Sequence, residues 1–128
     1  MLIEEYFLRL DRVLASYPQI ERMTITKEKR APHIGLVKGE IVFTGGLQLF
    51  LMEFIRTEPH LIKTKYRYHC QDMAGAALFR YDNAPHHHTD TFPNHKHTFA
   101  AVGEIISAAH PPSIEALLDE VAQYGAAG

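Results

Sequence analysis

The chain has 128 residues, 46% hydrophobic and 22% charged, with a net charge of −2 and nine histidines. That length predicts a single domain spanning residues 1–128 with a core large enough to need no staple, and the composition excludes a disordered or fibrous chain. The lone Cys70 excludes an internal disulfide framework, and no run of apolar residues is long enough for a membrane span, so the expected setting is the cytoplasm. The acidic, amphipathic start "MLIEEYFLRL" carries no basic leader and argues against a secretory signal.

Leu2, Ile3, Tyr6, Phe7, Leu10, Val13 and Leu14 recur at helical spacing with charged residues between them, which predicts an amphipathic helix ended by Pro18. From Ile20 onward the pattern turns to alternation. "RMTITKEKR" reads as a polar first strand, and "IGLVKGEIVFT" and "LQLFLMEFIR" read as a hairpin around Gly45-Gly46. That glycine pair is a turn and no phosphate loop, because neither a Lys-Ser/Thr pair nor a helix follows it. Leu47–Ile55 is apolar on both faces, so a central strand covered on both sides is expected. "LIKTKYRYHCQ" and "ALFRYDN" form a second hairpin around residues 72–75. After Pro85 comes turn chemistry without hydrophobic period until Phe99, a long loop that ends with His97. Pro111-Pro112-Ser113 then starts a helix with Ile114, Leu117, Leu118 and Val121 on one face and Gly125 as its stop. The fold class is α+β: an antiparallel meander sheet of four to five strands, with an N-terminal and a C-terminal helix packed on one face.

Charge and chemistry concentrate in the middle. Residues 22–100 hold eleven Lys and Arg against seven Asp and Glu, and five of the nine histidines lie between Phe79 and His97. A tight second hairpin places Lys63, Lys65, Arg67, His69 and Gln71 on one face, with Arg80 and Asp82 beside them. Three chemistries fit that collection. Metal binding is one: His95 and His97 project to one side if extended, and Asp82 or one of His86–His88 completes a site, although the spacing follows no established ligand motif. Metal-independent cleavage of RNA is a second, since it needs a base, an acid and cations around the phosphorane. His87, His95 and His97 are of the type to move protons, Arg80 and Lys96 to hold phosphate, and Glu53 or Asp82 to orient a histidine. Tyr66, Tyr68 and Tyr81 are of the type to stack on bases, with Asn83 and His86 in the same substrate-binding set. The third is structural: Arg80 pairs with Asp82, Asn83 and Asp90 shape turns, and the histidines donate to loop carbonyls. Glu53, alone in an apolar strand, is either a salt-bridge member or a catalytic carboxylate. Cys70 reads as a small strand residue with no base beside it, and His33 and His60 as loop residues.

"YRYHCQDMAGAALFRYDNAPHHHTDTFPNHKH", Tyr66 to His97, resembles the signature block of the TumE-type toxins of type II toxin–antitoxin systems. That family has a Phe-Arg-Tyr-Asp-Asn-Ala-Pro-His-His run, matched by Phe79–His87, and a Phe-Pro-x-His-Lys-His element, matched by Phe92–His97. Glu53 matches a recurrent acidic position in an apolar strand, and "PSIEALLDEV" is similar to the final helix. Cys70, where a bulkier residue is usual, and the weakly charged turn "DMAGAA" depart from the pattern without touching its His, Arg and Asp elements. The resemblance implies a growth-inhibiting toxin partnered by an adjacent-encoded antitoxin with a helix-turn-helix region. Action on RNA as a metal-independent ribonuclease, with no cofactor, is the first expectation, by residue type and analogy. The alternatives are a non-catalytic toxin whose His-rich loop docks a macromolecular partner, and a metal-dependent enzyme. A homodimer is one arrangement open to the chain.

Overall fold

The computed structural model describes residues 1–127. In chain order it has helix α1 (Ile3–Ala15), strands β1 (Ile20–Ala31), β2 (Ile34–Phe43), β3 (Gln48–Arg56), β4 (Ile62–Gln71), β5 (Ala77–Asp82), β6 (His95–Ala100) and β7 (Gly103–Ala108), and helix α2 (Ile114–Ala127). The strands form one antiparallel sheet whose spatial order is the order of the sequence. The α+β class and the terminal helices are as expected, but the sheet has seven strands and not four to five. The extra pair, β6 and β7, is a hairpin that begins where the long loop was expected to continue. Its turn closes through Gly103 at φ +119°, a left-handed conformation that suits glycine. No hydrophobic period announced β6, because His95-Lys96-His97-Thr98 alternates between two kinds of polar residue. Helix α2 runs through Gly125, which was expected to stop it. Among the described residues no helix is long and apolar enough to cross a membrane.

Both helices cover one face of the sheet. Ile3, Tyr6, Leu10 and Leu14 of α1 and Ile114, Leu117, Leu118 and Val121 of α2 pack there against Val37, Ile41, Leu49, Leu51, Ile55, Tyr68, Cys70 and Phe79. Spacings of three and four residues gather the α1 side chains into one stripe, and each such side chain contributes ~1.5–3 kcal/mol when fully buried. Gly35 lets the helix approach, since a Cβ there would lie 2.6 Å from Ile3 Cγ1.

The other face has no helix. β3 was expected to be covered on both sides, yet on this face Met52 and Phe54 are only half-buried and Phe50 is exposed. The register places Arg67 opposite Asp82 and His69 opposite Arg80, then Arg80 opposite His97 and Asp82 opposite His95. The predicted convergence of cation, imidazole and carboxylate therefore exists on this face. Lys63 is the exception. The register of β3 with β4 shifts between Phe54 and Ile55, inserting Thr64, and an inserted residue reverses the facing of what precedes it. Lys63 consequently turns to the helix side, where its Nζ lies 3.2 Å from Glu53 Oε2.

Candidate active site

Between β5 and β6, residues 83–94 fold over the open face and are held largely by their own polar groups. Asp82 Oδ1 accepts the Ala84 N–H at 3.0 Å, and the Asn94 carbonyl accepts the hydroxyls of Thr89 at 3.1 Å and Thr91 at 2.6 Å. Thr91 Oγ1 in turn accepts the Ala109 N–H at 2.9 Å, tying the segment to the chain beyond β7. His88 stacks on Phe92 with ring centroids 4.6 Å apart. Segment and sheet enclose a cleft of about 890 Å³, lined among others by Met52, Lys65, Arg67, Arg80, Asp82, Pro85, His86, His87, Phe92, His95 and His97.

At the inner end of the cleft, alternation along β6 points His95 and His97 to the same side, and both are buried. Their Nε2 atoms lie 3.0 Å apart. Asp82, from the neighbouring strand, places Oδ1 3.1 Å from His95 Nε2 and Oδ2 3.4 Å from His97 Nε2. The outer nitrogens are held from behind: His95 Nδ1 lies 2.9 Å from the Pro93 carbonyl oxygen, and His97 Nδ1 bonds Glu104. His87, half-buried on the loop, packs edge-on against both rings at centroid distances of 5.0 and 5.3 Å. One coordinating atom from each of His87, His95 and His97 lies within 4.8 Å of the others.

The cleft wall beside this cluster is cationic. Lys65, Arg67 and Arg80 line it, and among the described residues none of the three makes an ion pair. Arg80 is steadied by neutral groups, its Nε–H donating to His69 Nδ1 at 3.3 Å and its guanidinium lying 5.8 Å from the Phe99 ring centre. An Arg held by an imidazole and a ring keeps its charge available to an anion. Burial and the adjacent Arg80 and Arg67 hold the His69 imidazole below its ordinary value.

The structure thus brings His86, His87, His95, His97, Arg80 and Asp82 together, with Tyr66 and Asn83 also at the cleft wall, and leaves Glu53, Lys96, Tyr68 and Tyr81 elsewhere. Glu53 lies fully buried on the helix side, where it accepts from the Tyr6 hydroxyl at 2.6 Å and from the Tyr68 hydroxyl, with Lys63 beside it. Burial, and next the Glu53 charge, push the Tyr68 hydroxyl well above its ordinary value, so it remains a proton donor to the carboxylate. Lys96 follows the opposite alternation from His95 and His97 and bonds Glu120 of α2 at 2.7 Å, away from the cleft. Tyr66, Tyr68 and Tyr81 are buried, with hydroxyls engaged by Asn94, Glu53 and Glu120, so their ring faces do not meet solvent as a stacking platform would require. Asn83 extends the ladder past the end of β5: its Oδ1 accepts the Tyr66 N–H and its Nδ2 donates to the Thr64 carbonyl, each at 3.1 Å. Burial pushes the Cys70 thiol up to about 12, in keeping with an inert strand residue.

Sequence reasoning left three residues out of the site. Lys65 and Arg67 were placed on the correct face but not in the cleft, and the pairing of Arg67 with Asp82 was the available signal. Glu104 reaches His97 only through the β6–β7 hairpin, whose turn at Ala101-Val102-Gly103 could have revealed it. No protein of curated function and no solved structure matches this chain. A family model described as Toxin TumE matches residues 10–126, which include every strand, the whole cleft, nearly all of α2 and the C-terminal part of α1. The chain belongs to the TumE toxin family.

Proposed function

We propose that the protein is the toxin of a type II toxin–antitoxin pair and inhibits growth by cleaving RNA in the cleft between residues 83–94 and the open face of the sheet. One observation carries the reading: three cations that ion-pair with no carboxylate among the described residues line the same cleft as a histidine–aspartate cluster. Lys65, Arg67 and Arg80 would hold the phosphodiester and offset charge developing on its oxygens. Exposed Phe92, with His88 stacked behind it, offers a face for a base, the part expected of the tyrosines.

In the metal-independent form, a histidine removes the proton of the 2′-hydroxyl, whose oxygen attacks phosphorus. The 5′-oxygen leaves with a proton from a second imidazole, giving a 2′,3′-cyclic phosphate. His87 is the least buried of the inner three and the member best placed to meet a substrate, while Asp82 orients His95 and His97. The inward convergence of imidazole nitrogens also favours a second form, in which a metal ion sits where those protons would be. The family implies an antitoxin, and a helix-turn-helix protein encoded beside the toxin is the partner expected here.

Inducing the gene with and without its neighbouring reading frame, while following growth and RNA integrity, tests the reading in cells. The expected result is RNA loss and arrest only when the neighbour is absent. Purified antitoxin-free protein should cut RNA to 2′,3′-cyclic ends. RNA that stays intact from pH 5 to 8, with and without added divalent metal, sinks the enzymatic reading, and binding without cleavage turns the cleft into a docking surface.

A further inference from the structure

We infer that His87, His95, His97 and Asp82 bind one divalent first-row transition metal ion of the zinc type. What the ion would do rests on the RNA reading above; that it binds does not.

With both imidazoles neutral, the protons in the cluster do not suffice to hold it together. A carbonyl oxygen only accepts, so the Pro93 carbonyl facing His95 Nδ1 requires the proton of that imidazole to sit on Nδ1. Glu104 likewise takes the Nδ1–H of His97. In the neutral form each imidazole has one proton, so both Nε2 atoms then present lone pairs inward, to each other at 3.0 Å and to the Asp82 carboxylate at 3.1 and 3.4 Å. Three electron-pair donors converge in a nearly dry place, and each would repel the others unless a positive charge sits among them. Among the described residues no Lys or Arg ion-pairs with Asp82.

The spacing suits an ion. Zinc–nitrogen bonds of about 2.0–2.1 Å in a tetrahedron set the ligands roughly 3.3 Å apart. The three separations among His95, His97 and Asp82 fall around that figure. The coordinating atom of His87, on the segment between β5 and β6, lies within 4.8 Å of those of His95 and His97. The outer partners also match: a ligating imidazole usually donates its second nitrogen to a carbonyl or carboxylate, the arrangement made here by Pro93 and Glu104. Three imidazoles and one carboxylate favour zinc and its neighbours over magnesium or calcium, which take oxygen shells. In the cleft the ion would polarise a phosphate oxygen held by Arg67 and Arg80.

The test uses untagged full-length protein, stripped with chelator and titrated calorimetrically with zinc chloride. In parallel, cobalt(II) reports ligand geometry through its visible absorption. The expected result is one zinc per chain and a tetrahedral-type cobalt spectrum. His95→Ala should abolish both. His87→Ala alters only a loop side chain and should weaken zinc at least ~10-fold, and Glu104→Ala, by freeing the far nitrogen of His97, should weaken it by about 10–100-fold. His60→Ala and His110→Ala should bind as the parent does, with circular dichroism confirming the fold of each variant. No heat and no cobalt spectrum overturn the inference, as does zinc bound equally well by His87→Ala and His95→Ala. Full RNA cleavage by stripped protein in chelator overturns the ion's part in the chemistry and leaves the histidines as acid and base. One bound zinc with RNA left intact overturns the RNA reading and leaves the ion.

Discussion

Beneath the helices, Glu53 accepts from two tyrosine hydroxyls and faces the Lys63 ammonium; beneath residues 83–94, on the opposite side of the same sheet, two imidazole nitrogens face each other and a carboxylate. Both clusters are buried and both contain acids. In the first, each acceptor has a donor from Tyr6, Tyr68 or Lys63, and the result is a closed structural knot. In the second, two ring nitrogens and a carboxylate converge with no Lys or Arg among them, so a proton or a metal ion must supply the positive charge. A buried ionisable group is therefore weak evidence of function by itself, and the match of donors to acceptors is what separates a brace from a site.

The largest effect expected from breaking this contrast is on the brace. Glu53→Ala leaves two buried hydroxyls without their acceptor and the half-buried Lys63 ammonium without its counter-charge, with only the Pro112 carbonyl at 2.8 Å to hold it, and should cost about 3–5 kcal/mol in urea denaturation. Glu53→Gln, which retains an acceptor, should cost only about 1–3 kcal/mol. Neither should change RNA cleavage per folded molecule. Cleavage lost in the folded fraction of Glu53→Gln would mean that the two faces are coupled and that the sequence-based placement of Glu53 in the catalytic set was sound.

On the open face the ordering reverses. Arg80→Ala removes a cation aimed into the cleft and should slow RNA cleavage by ~10²–10³-fold, the range for loss of one charge-stabilising donor. Its stability should fall by only about 0.5–1 kcal/mol, the worth of its contact with the Phe99 ring. Single-turnover cleavage and thermal melting of the same preparation separate the two quantities. A large loss of stability with cleavage per folded molecule retained would make Arg80 part of the brace.

How far the sequence reveals these two clusters depends on strand period. Alternation and turn residues identify the first five strands, and the Asp72–Gly75 turn correctly brings Arg67 and His69 beside Asp82 and Arg80. It fails at Lys63 because a one-residue bulge leaves no mark in composition yet reverses the side chain. It fails at β6 because a strand whose inward residues are histidines has no hydrophobic alternation to detect. Had residues 95–98 been read as extended, Lys96 would have gone to the helix side at once, by the same rule that pairs His95 with His97. The tyrosines of β4 and β5 were on one face as alternation required, but two helices distant in sequence cover that face, and only tertiary packing shows it.

Lys96 supplies the third and weaker perturbation. Burial alone would lower its pKa, but bonds to Glu120 and Tyr81 outweigh that effect and hold the ammonium above its ordinary value. Lys96→Met should therefore cost about 0.2–1 kcal/mol, as for a partly exposed pair, and leave RNA cleavage unchanged. Impaired cleavage at unchanged stability would return Lys96 to the phosphate site where residue type alone had put it.

The smallest expected effect is a pH dependence carried by His69. Its imidazole accepts the Arg80 Nε–H at 3.3 Å, and burial first, then the charges of Arg80 and Arg67, lower its pKa in the folded protein from 6.5. Above pH 6.5 the ring is neutral in both states and its contribution to stability is complete. As pH falls below 6.5, the unfolded chain takes up the proton before the folded one, so this contribution is lost progressively until the folded pKa is passed. His69→Asn removes the titration while keeping an oxygen that can accept from Arg80. The urea midpoint of the parent should consequently fall more than that of His69→Asn between pH 7 and pH 5, with the titration of the other eight histidines common to both. Equal falls would show that His69 is protonated at no cost in the fold, and that Arg80 is free of it before any phosphate arrives.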